Sequence, residues 1–354
     1  MLIQTDQTYL TQALALATLR RGFCSPNPSV GAIIVQNNQI LATGHHHAAG
    51  SPHAEIDALQ KLSMQAQGAT IYITLMPCCH WGKTPPCTDA LIQAGIKRVV
   101  YGHPDLNPEV MEKSVSLLEA KGILCEYIPI PEITTFYESY DHWRKTKTPN
   151  VTAKIAITLN GKIAGPKGER IQITGQALHE FTHQCRKNAD AILTTIKTIV
   201  NDAPQLNARI KNETIAKPIY LLDSNLNFPL TATVLKTAKS LTIFHAKAAD
   251  CMRQQTLQQS GVQCIAVDKN EHGLDLKQVL QYIGQQGIHD LWVEAGGKCF
   301  AALMKQNLLQ RALIYVAPHW LADGQAAFEN KLDFSTAKIQ WKQVGTDALC
   351  DVRW

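Results

Sequence analysis

No apolar run in this chain approaches the roughly 20 residues that a helix needs to cross a bilayer. A secretory leader is not expected either. Tyr9, Leu10, Ala13, Leu14 and Ala17 recur at helical spacing instead, with Asp6 as the expected cap and Gly22 closing the helix after Arg20-Arg21. Aromatic residues make up only 6% of the chain and no long basic run occurs, so a stacking, positively charged nucleic-acid groove is not indicated. Repeats, low-complexity tracts and amphipathic membrane helices are missing as well. The ten cysteines are scattered through a long chain, which excludes a dense disulfide framework. They read as reduced cytosolic thiols with two recruited by a metal.

What is present fits an ordinary soluble, cytoplasmic protein: 45% hydrophobic and 18% charged residues. At about 150 residues per domain, 354 residues make two domains. The formal net charge of +5 is mild and suits small phosphorylated substrates at least as well as nucleic acid.

The most informative stretch is His53-Ala54-Glu55, followed by Pro77-Cys78 and, after eight intervening residues, Cys87. His-x-Glu with a downstream Pro-Cys and a second Cys is a zinc-deaminase signature. One neutral imidazole and two thiolates leave the fourth position on Zn²⁺ for a water. The metal acidifies that water, and Glu55, outside the coordination shell, can carry its proton to a leaving amine. Any one of these residues alone reads as a buried histidine or core cysteine; together, at this spacing, they read as a site. His53 and Glu55 are two apart, so they can face one site only in the first turn of a helix. Cys87 also opens a helix, where the dipole lowers a thiol's pKa.

Along the chain, Ser25 to Ser29 is turn-rich, Val30 to Val35 and Ile40 to Thr43 read as paired strands about Asn37-Asn38, and a helix is expected from His53 to Leu62. Ser51 is its expected cap, with Pro52 in the first turn. A strand at Ala69 to Leu75, a helix at Cys87 to Gln93 and a strand at Arg98 to Tyr101 complete a three-layer α/β unit. The charged, Pro-containing segment from His142 to Asn150 is expected to be the linker. Beyond it, Val151 to Leu159, Asn160-Gly161 and Lys162 to Ala164 read as a hairpin. Further strands are expected at Ala191–Thr194, Pro218–Leu222, Leu241–His245, Val262–Val267, Leu291–Glu294, Leu313–Ala317 and Ala348–Trp354, in a second α/β domain with a largely parallel sheet.

Several segments together resemble the bifunctional riboflavin-biosynthesis deaminase/reductases of the RibD family, over nearly the whole chain. In the first half these are SPNPSVGAIIV, GSPHAEIDAL, GATIYITLMPCCHWGKTPPCTDALI and AGIKRVVYGHPDLNP. In the second they are AKIAITLNGKIA, ADAILTTIKTIVNDAPQLNAR, KPIYLLDS and DLWVEAGGKCFAALMKQNLLQRALIYVAP. The resemblance implies a cytidine-deaminase-like domain over residues 1–145 and a dihydrofolate-reductase-like α/β domain over 146–354. It implies zinc on His53, Cys78 and Cys87, with Glu55 as proton shuttle, and deamination of a phosphoribosylated diaminopyrimidinone. Asn27, His46, Lys83 and Thr84 fall on that substrate's positions. Turn chemistry between two prolines accounts equally well for Asn27, and His45 and His47 read as a solvated loop.

For the second domain the resemblance implies NADPH, with contacts at Ile157, Thr198, Asp202, Ser224 and the Gly296-Gly297 turn, which can let backbone N–H groups approach a phosphate. Substrate contacts fall at Arg186, Leu206, Arg209 and Glu294, and Lys154 lies near the reacting sugar carbon. Arg186 and Arg209 are natural phosphate forks, and each alone could equally be a surface ion pair. A homo-oligomer, dimer or tetramer, is also implied. The departures from the family pattern are Met76 for a glutamate, Cys79 beside the ligand cysteine, Arg170 and Gln172 for a small polar residue and a tryptophan, and Ala203 for an aspartate. Two competing readings follow: a nucleic-acid-editing deaminase with an accessory domain, and a chain in which one half is catalytically silent.

Overall fold

The computed structural model describes residues 2–81, 85–107, 110, 113–271, 273–328 and 331–354, and the side chains of residues 2–5 and 167 are left aside. The chain divides into two compact units, Met1–Lys147 and Thr148–Trp354.

The first unit runs α1 (Leu2–Leu19), β1 (Gly31–Gln36), β2 (Gln39–His45), α2 (Ala54–Gln60), β3 (Thr70–Ile73), α3 (Cys87–Gln93), β4 (Arg98–Tyr101), α4 (Ser114–Glu119), β5 (Leu124–Tyr127) and α5 (Pro131–Thr146). Its five-stranded sheet has the order β2-β1-β3-β4-β5. Strands β2, β1 and β3 pair antiparallel, while β3, β4 and β5 pair parallel. The two-residue period of β1 explains the layers. Ala32 and Ile34 pack with Ala54, Leu59 and Leu91 on one face, whereas Ile33 and Val35 pack with Leu10, Tyr72 and Tyr137 on the other. Asn37 and Asn38 take the positive φ of a tight hairpin turn, 51° and 61°. A side chain on Gly44 would place its Cβ 2.1 Å from the Ala54 carbonyl oxygen, so glycine there lets the first turn of α2 press directly on β2.

One expectation fails in this unit and another holds only in part. Asp6 is not a cap: it lies inside α1, where its carboxylate accepts hydrogen bonds from the Tyr72 hydroxyl at 2.6 Å and from both Arg98 Nη atoms at 2.9 Å. The division between the units, Lys147/Thr148, falls inside the expected linker, but its residues 142–146 are helix, because the buried stripe of Ile133, Tyr137 and Tyr140 continues to Trp143, which stacks on Tyr140. Arg144 and Lys145 occupy the last turn, where cations suit the helix dipole, and Lys147 ends the helix at φ 60°.

The second unit begins with β6 (Asn150–Thr158) and β7 (Lys162–Ala164), then α6 (Gln176–Asn188), β8 (Ala191–Thr195), α7 (Ile196–Asp202), β9 (Ala208–Ile210), β10 (Glu213–Ile215) and β11 (Pro218–Leu222). It continues with α8 (Val234–Thr237), β12 (Ser240–Ala246), α9 (Cys251–Gln259), β13 (Gln263–Val267), β14 (Lys269–Asn270), β15 (Gly273–Leu274), α10 (Leu276–Gln285) and β16 (Asp290–Glu294). The last elements are α11 (Gly297–Lys305), β17 (Arg311–Ala317), β18 (Gln325–Ala326), β19 (Lys338–Val344) and β20 (Asp347–Arg353). The main sheet is nine-stranded, β13-β12-β11-β8-β16-β6-β17-β20-β19. It is parallel from β13 to β17 and antiparallel from there to β19. Asn160-Gly161 does turn the chain, but β7 pairs with β18 rather than with β6. Both edges of β6 are already taken by β16 and β17.

Candidate active sites

In the first unit the site is assembled by two helix starts and one loop. His53 is the N-cap of α2 in extended conformation (φ −68°, ψ 163°) and makes no side-chain cap bond, so its ring reaches over the helix end. Ser51, expected as the cap, instead closes a turn with the backbone of Ala48. The Nδ1 of His53 lies 3.3 Å from Cys87 Sγ and 3.5 Å from Cys78 Sγ, and the three donor atoms are all within 4.8 Å of one another. The Cys87 backbone N–H at the start of α3 points at Cys78 Sγ, 3.4 Å away.

The protons follow from these contacts. A hydrogen bond from the Cys87 thiol, with help from His53, holds the Cys78 thiol well below its ordinary range. The same bond, with burial, pushes Cys87 up. Its bond to Cys78 raises the His53 imidazole. An imidazole and two thiols that share protons at this range form a donor set a dication can take over by displacing those protons, and N and S donors suit Zn²⁺. Glu55, only 3% exposed, sits beside them; burial raises its carboxyl, against the pull of His53.

His46 is buried and lies edge-on to His53, with ring centroids 5.4 Å apart. Its Nδ1–H donates to the Pro52 carbonyl at 3.0 Å, so in the neutral ring Nε2 is the acceptor for the Asn27 amide N–H at 3.2 Å. Burial depresses the His46 imidazole and favours that neutral form. Asn27 and His46 are therefore brought to the zinc-type cluster as a pair, with the Asn27 carbonyl oxygen left for other contacts. Lys83 and Thr84 lie outside the described residues. Met76, in place of a carboxylate, packs with Tyr101 and Val110. Cys79 is half-buried beside Cys78.

In the second unit the candidates gather at the carboxyl ends of parallel strands, the usual ligand-binding edge of such a sheet. Ile157 is the last but one residue of β6, Thr198 follows β8, Ser224 follows β11, and Gly296 follows β16. Arg186 on α6 forks Glu294 at the end of β16: Nε to Oε1 at 2.5 Å and Nη2 to Oε2 at 2.9 Å. Trp292 Nε1 also donates to Glu294 Oε1 at 2.7 Å, and Arg186 Nη1 donates to the Asn207 carbonyl at 3.0 Å. Burial would raise Glu294, but the Arg186 guanidinium outweighs it and holds the carboxyl at about 2. Lys154 on β6 points its ammonium at the ring of Tyr315, 5.3 Å from the centroid; burial depresses it, while Glu294 and Asp202 pull the other way.

Arg209 is exposed and tied by Nη1 to Gln205 and Asn207. Its backbone N–H donates to His183 Nδ1 at 3.0 Å. Asp202 ends α7, and Arg170 donates to its carbonyl at 3.0 Å, which gives that departure a local role. Gln172 donates to the Thr174 carbonyl at 3.4 Å. Ala203 caps α7 at φ 41°, a conformation in which the family's aspartate is the easier residue. Leu206 turns its side chain into the core, 1% exposed, at a backbone φ of 50°. Of the Gly-Gly pair, Gly297 lacks a side chain because a Cβ would stand 1.5 Å from the Ala327 carbonyl oxygen, whereas a Cβ on Gly296 would meet nothing within 4 Å. His183, Trp292, Asn207 and Tyr315 were not anticipated. Local spacing in the sequence does pair some of them with expected residues: His183 is three residues before Arg186 on one helix, and Trp292 is two before Glu294 on one strand, which puts each pair on a common face.

Comparison with known proteins places both halves. Residues 149–351 match the family model of the RibD C-terminal domain, and residues 3–103 that of the cytidine and deoxycytidylate deaminase zinc-binding region, which spans His53, Cys78 and Cys87. Riboflavin biosynthesis protein RibD of Aquifex aeolicus is 36% identical over 330 residues, 92% of this chain and 90% of that one. The Acinetobacter baumannii RibD structure superimposes with a TM-score of 0.87 at 32% identity, covering 99% of each chain. A diaminohydroxyphosphoribosylaminopyrimidine deaminase/5-amino-6-(5-phosphoribosylamino)uracil reductase from Thermotoga maritima does so with a TM-score of 0.86 at 28% identity, over 100% of this chain and 99% of that one. Zinc and NADPH are the cofactors that go with these two halves. The chain belongs to the RibD family of bifunctional deaminase/reductases of riboflavin biosynthesis.

Proposed function

We propose that the unit of residues 1–147 deaminates 2,5-diamino-6-(5-phosphoribosylamino)pyrimidin-4-one and that the unit of residues 148–354 reduces the ribosyl chain of the product to ribityl. The observation that carries this is the convergence of His53 Nδ1, Cys78 Sγ and Cys87 Sγ beside the buried Glu55. Zinc held there supplies Lewis acidity that makes a water reactive at neutral pH. Glu55, with its carboxyl raised by burial, takes a proton from the attacking water and returns it to the ring amine, which leaves as ammonia. The neutral His46 fixes the Asn27 amide, whose carbonyl oxygen then reads an N–H of the pyrimidine edge. Lys83 and Thr84 are assigned to the phosphoribosyl end on resemblance alone.

In the second unit NADPH supplies the hydride. Thr198, Asp202, Ser224, Ile157 and the Gly296-Gly297 turn surround its proposed place at the strand ends. Lys154, buried beside Tyr315 and balanced by Glu294 and Asp202, is the proton donor for the sugar ring oxygen as the ring opens. Arg209, less tied down than Arg186, meets the substrate phosphate, while Glu294 serves to hold Arg186. Among the described residues no helix is long and apolar enough to cross a membrane, and a cytoplasmic location is proposed. A dimer or tetramer is proposed too, supported by Ile339 and Trp341 exposed on the sheet-edge strand β19.

The deciding experiment supplies the phosphoribosylated diaminopyrimidinone with zinc and NADPH and follows ammonia release and NADPH absorbance separately. Both signals are expected, with NADPH consumption depending on prior ammonia release. Ammonia without NADPH consumption would remove the two-step reading.

A further inference from the structure

The extended backbone at the end of β2 continues past His45, since the His46 N–H still donates to the Val30 carbonyl at 3.0 Å. Successive side chains therefore alternate. His46 turns inward to Asn27 and His53, and His45 and His47 share the opposite, outer side, their rings 4.2 Å apart between centroids. Asp57, one turn along α2 from His53, rises to meet them. Its Oδ2 accepts from the His45 backbone N–H at 3.1 Å and from Lys61 Nζ at 3.1 Å, which leaves Oδ1 aimed at His47 Nε2, 3.6 Å away.

That distance is too long for a hydrogen bond and suits two ligands of one ion. Donors about 2.1 Å from a common metal stand roughly 3 to 3.5 Å apart. One nitrogen from each histidine and one carboxylate oxygen lie within 4.8 Å of one another. The backbone beneath them is held in place. Arg20 grips the His47 carbonyl with Nε at 3.0 Å and Nη2 at 2.8 Å, and Ser51 closes the following turn on Ala48. Lys61 opposes a cation here, but its side chain is 50% exposed, where solvent and salt screen it.

We propose that His45, His47 and Asp57 form a second, outward-facing site for a divalent transition-metal ion of the zinc or nickel type, distinct from the His53–Cys78–Cys87 site. Two imidazoles and a carboxylate suit such an ion better than Ca²⁺ or Mg²⁺, which prefer all-oxygen shells. An ion here ties the end of β2 to the outer face of α2, the helix that begins with His53 and Glu55. Occupancy is thus expected to raise the thermal midpoint with metal concentration by mass action.

The test uses the full-length, zinc-loaded protein dialysed against Zn²⁺, with metal per chain counted by elemental analysis. Wild type is expected to hold two ions per chain, whereas His47→Ala and Asp57→Asn each keep one and bind the second at least tenfold more weakly. Cobalt substitution supplies an independent readout, because only the dithiolate site gives sulfur-to-cobalt charge-transfer absorption. That band is expected in wild type and in both variants, which shows that they are folded and that the ion lost is the outer one. One zinc per wild-type chain overturns the proposal. So does a second ion that both variants retain with less than tenfold weakening.

Discussion

Arg186 and Glu294 stand 108 residues apart in sequence and meet in a two-pronged ion pair, with Trp292 adding a third hydrogen bond to the same carboxylate. Removing one partner of such a pair leaves the other charge buried and unmatched, at about 3–5 kcal/mol. Glu294→Gln is therefore expected to lower the unfolding free energy of the second unit by that order and to abolish NADPH consumption, with ammonia release retained. The pH dependence has a fixed sign. The folded-state pKa of about 2 lies below the ordinary 4.5, so the pair's contribution is complete above pH 4.5 and is lost as the pH falls from there toward 2. Urea unfolding of wild type and variant across that window measures both effects.

Glu55 is expected to act on the proton and not on the metal. Glu55→Gln keeps the size and burial of the side chain but cannot accept and return a proton, so ammonia release should drop by roughly 10²–10⁴-fold. Metal content should stay unchanged, as should NADPH consumption on the already deaminated substrate. Loss of zinc in this variant would make Glu55 a structural support of the ligand cluster.

The zinc-type cluster was legible in the sequence because its chemistry fixes both residue types and local spacing: His53 and Glu55 within one helical turn, Cys78 after a proline and Cys87 eight intervening residues later. The Arg186–Glu294 pair was not, since nothing local to either residue names a partner so distant in sequence. Periodicity failed where packing changed its form. Strand β19 is exposed on both sides, so it shows no alternation of burial, and the charges at Arg144 and Lys145 hid a helix whose stripe runs on to Trp143. Asn160-Gly161 predicted a turn correctly but not the partner, because strand pairing depends on which sheet edges are free. Leu206 fell on a substrate position by resemblance, yet its side chain belongs to the core.

His183 supplies a pH test of the second unit. Its Nδ1 accepts from the Arg209 backbone N–H, so the ring is neutral, and burial with the nearby Arg186 and Arg209 holds it at about 4 against an ordinary 6.5. Between these values the unfolded chain binds the extra proton, so stability is full above pH 6.5 and falls as the pH drops to 4. His183→Asn retains an acceptor without the titration. The stability advantage of wild type over this variant should shrink across the window, by up to about 1.4 kcal/mol per pH unit. A constant difference would show that His183 is not held neutral by its surroundings.

The two glycines after β16 separate packing from cofactor binding. A methyl group on Gly297 would overlap the Ala327 carbonyl, 1.5 Å away, so the backbone of one segment must move. Gly297→Ala is expected to cost on the order of 1–3 kcal/mol or more in stability, whatever is bound. Gly296 has ordinary backbone angles (φ −69°, ψ 170°) and open space where its Cβ would lie. Gly296→Ala should leave the thermal midpoint nearly unchanged. If the cofactor's phosphates approach the start of α11, that same methyl group stands in their way, and the KM for NADPH should rise at least tenfold with kcat little altered. An unchanged KM for NADPH in a normally folded Gly296→Ala protein would move the phosphates away from this turn and leave only Gly297's packing role.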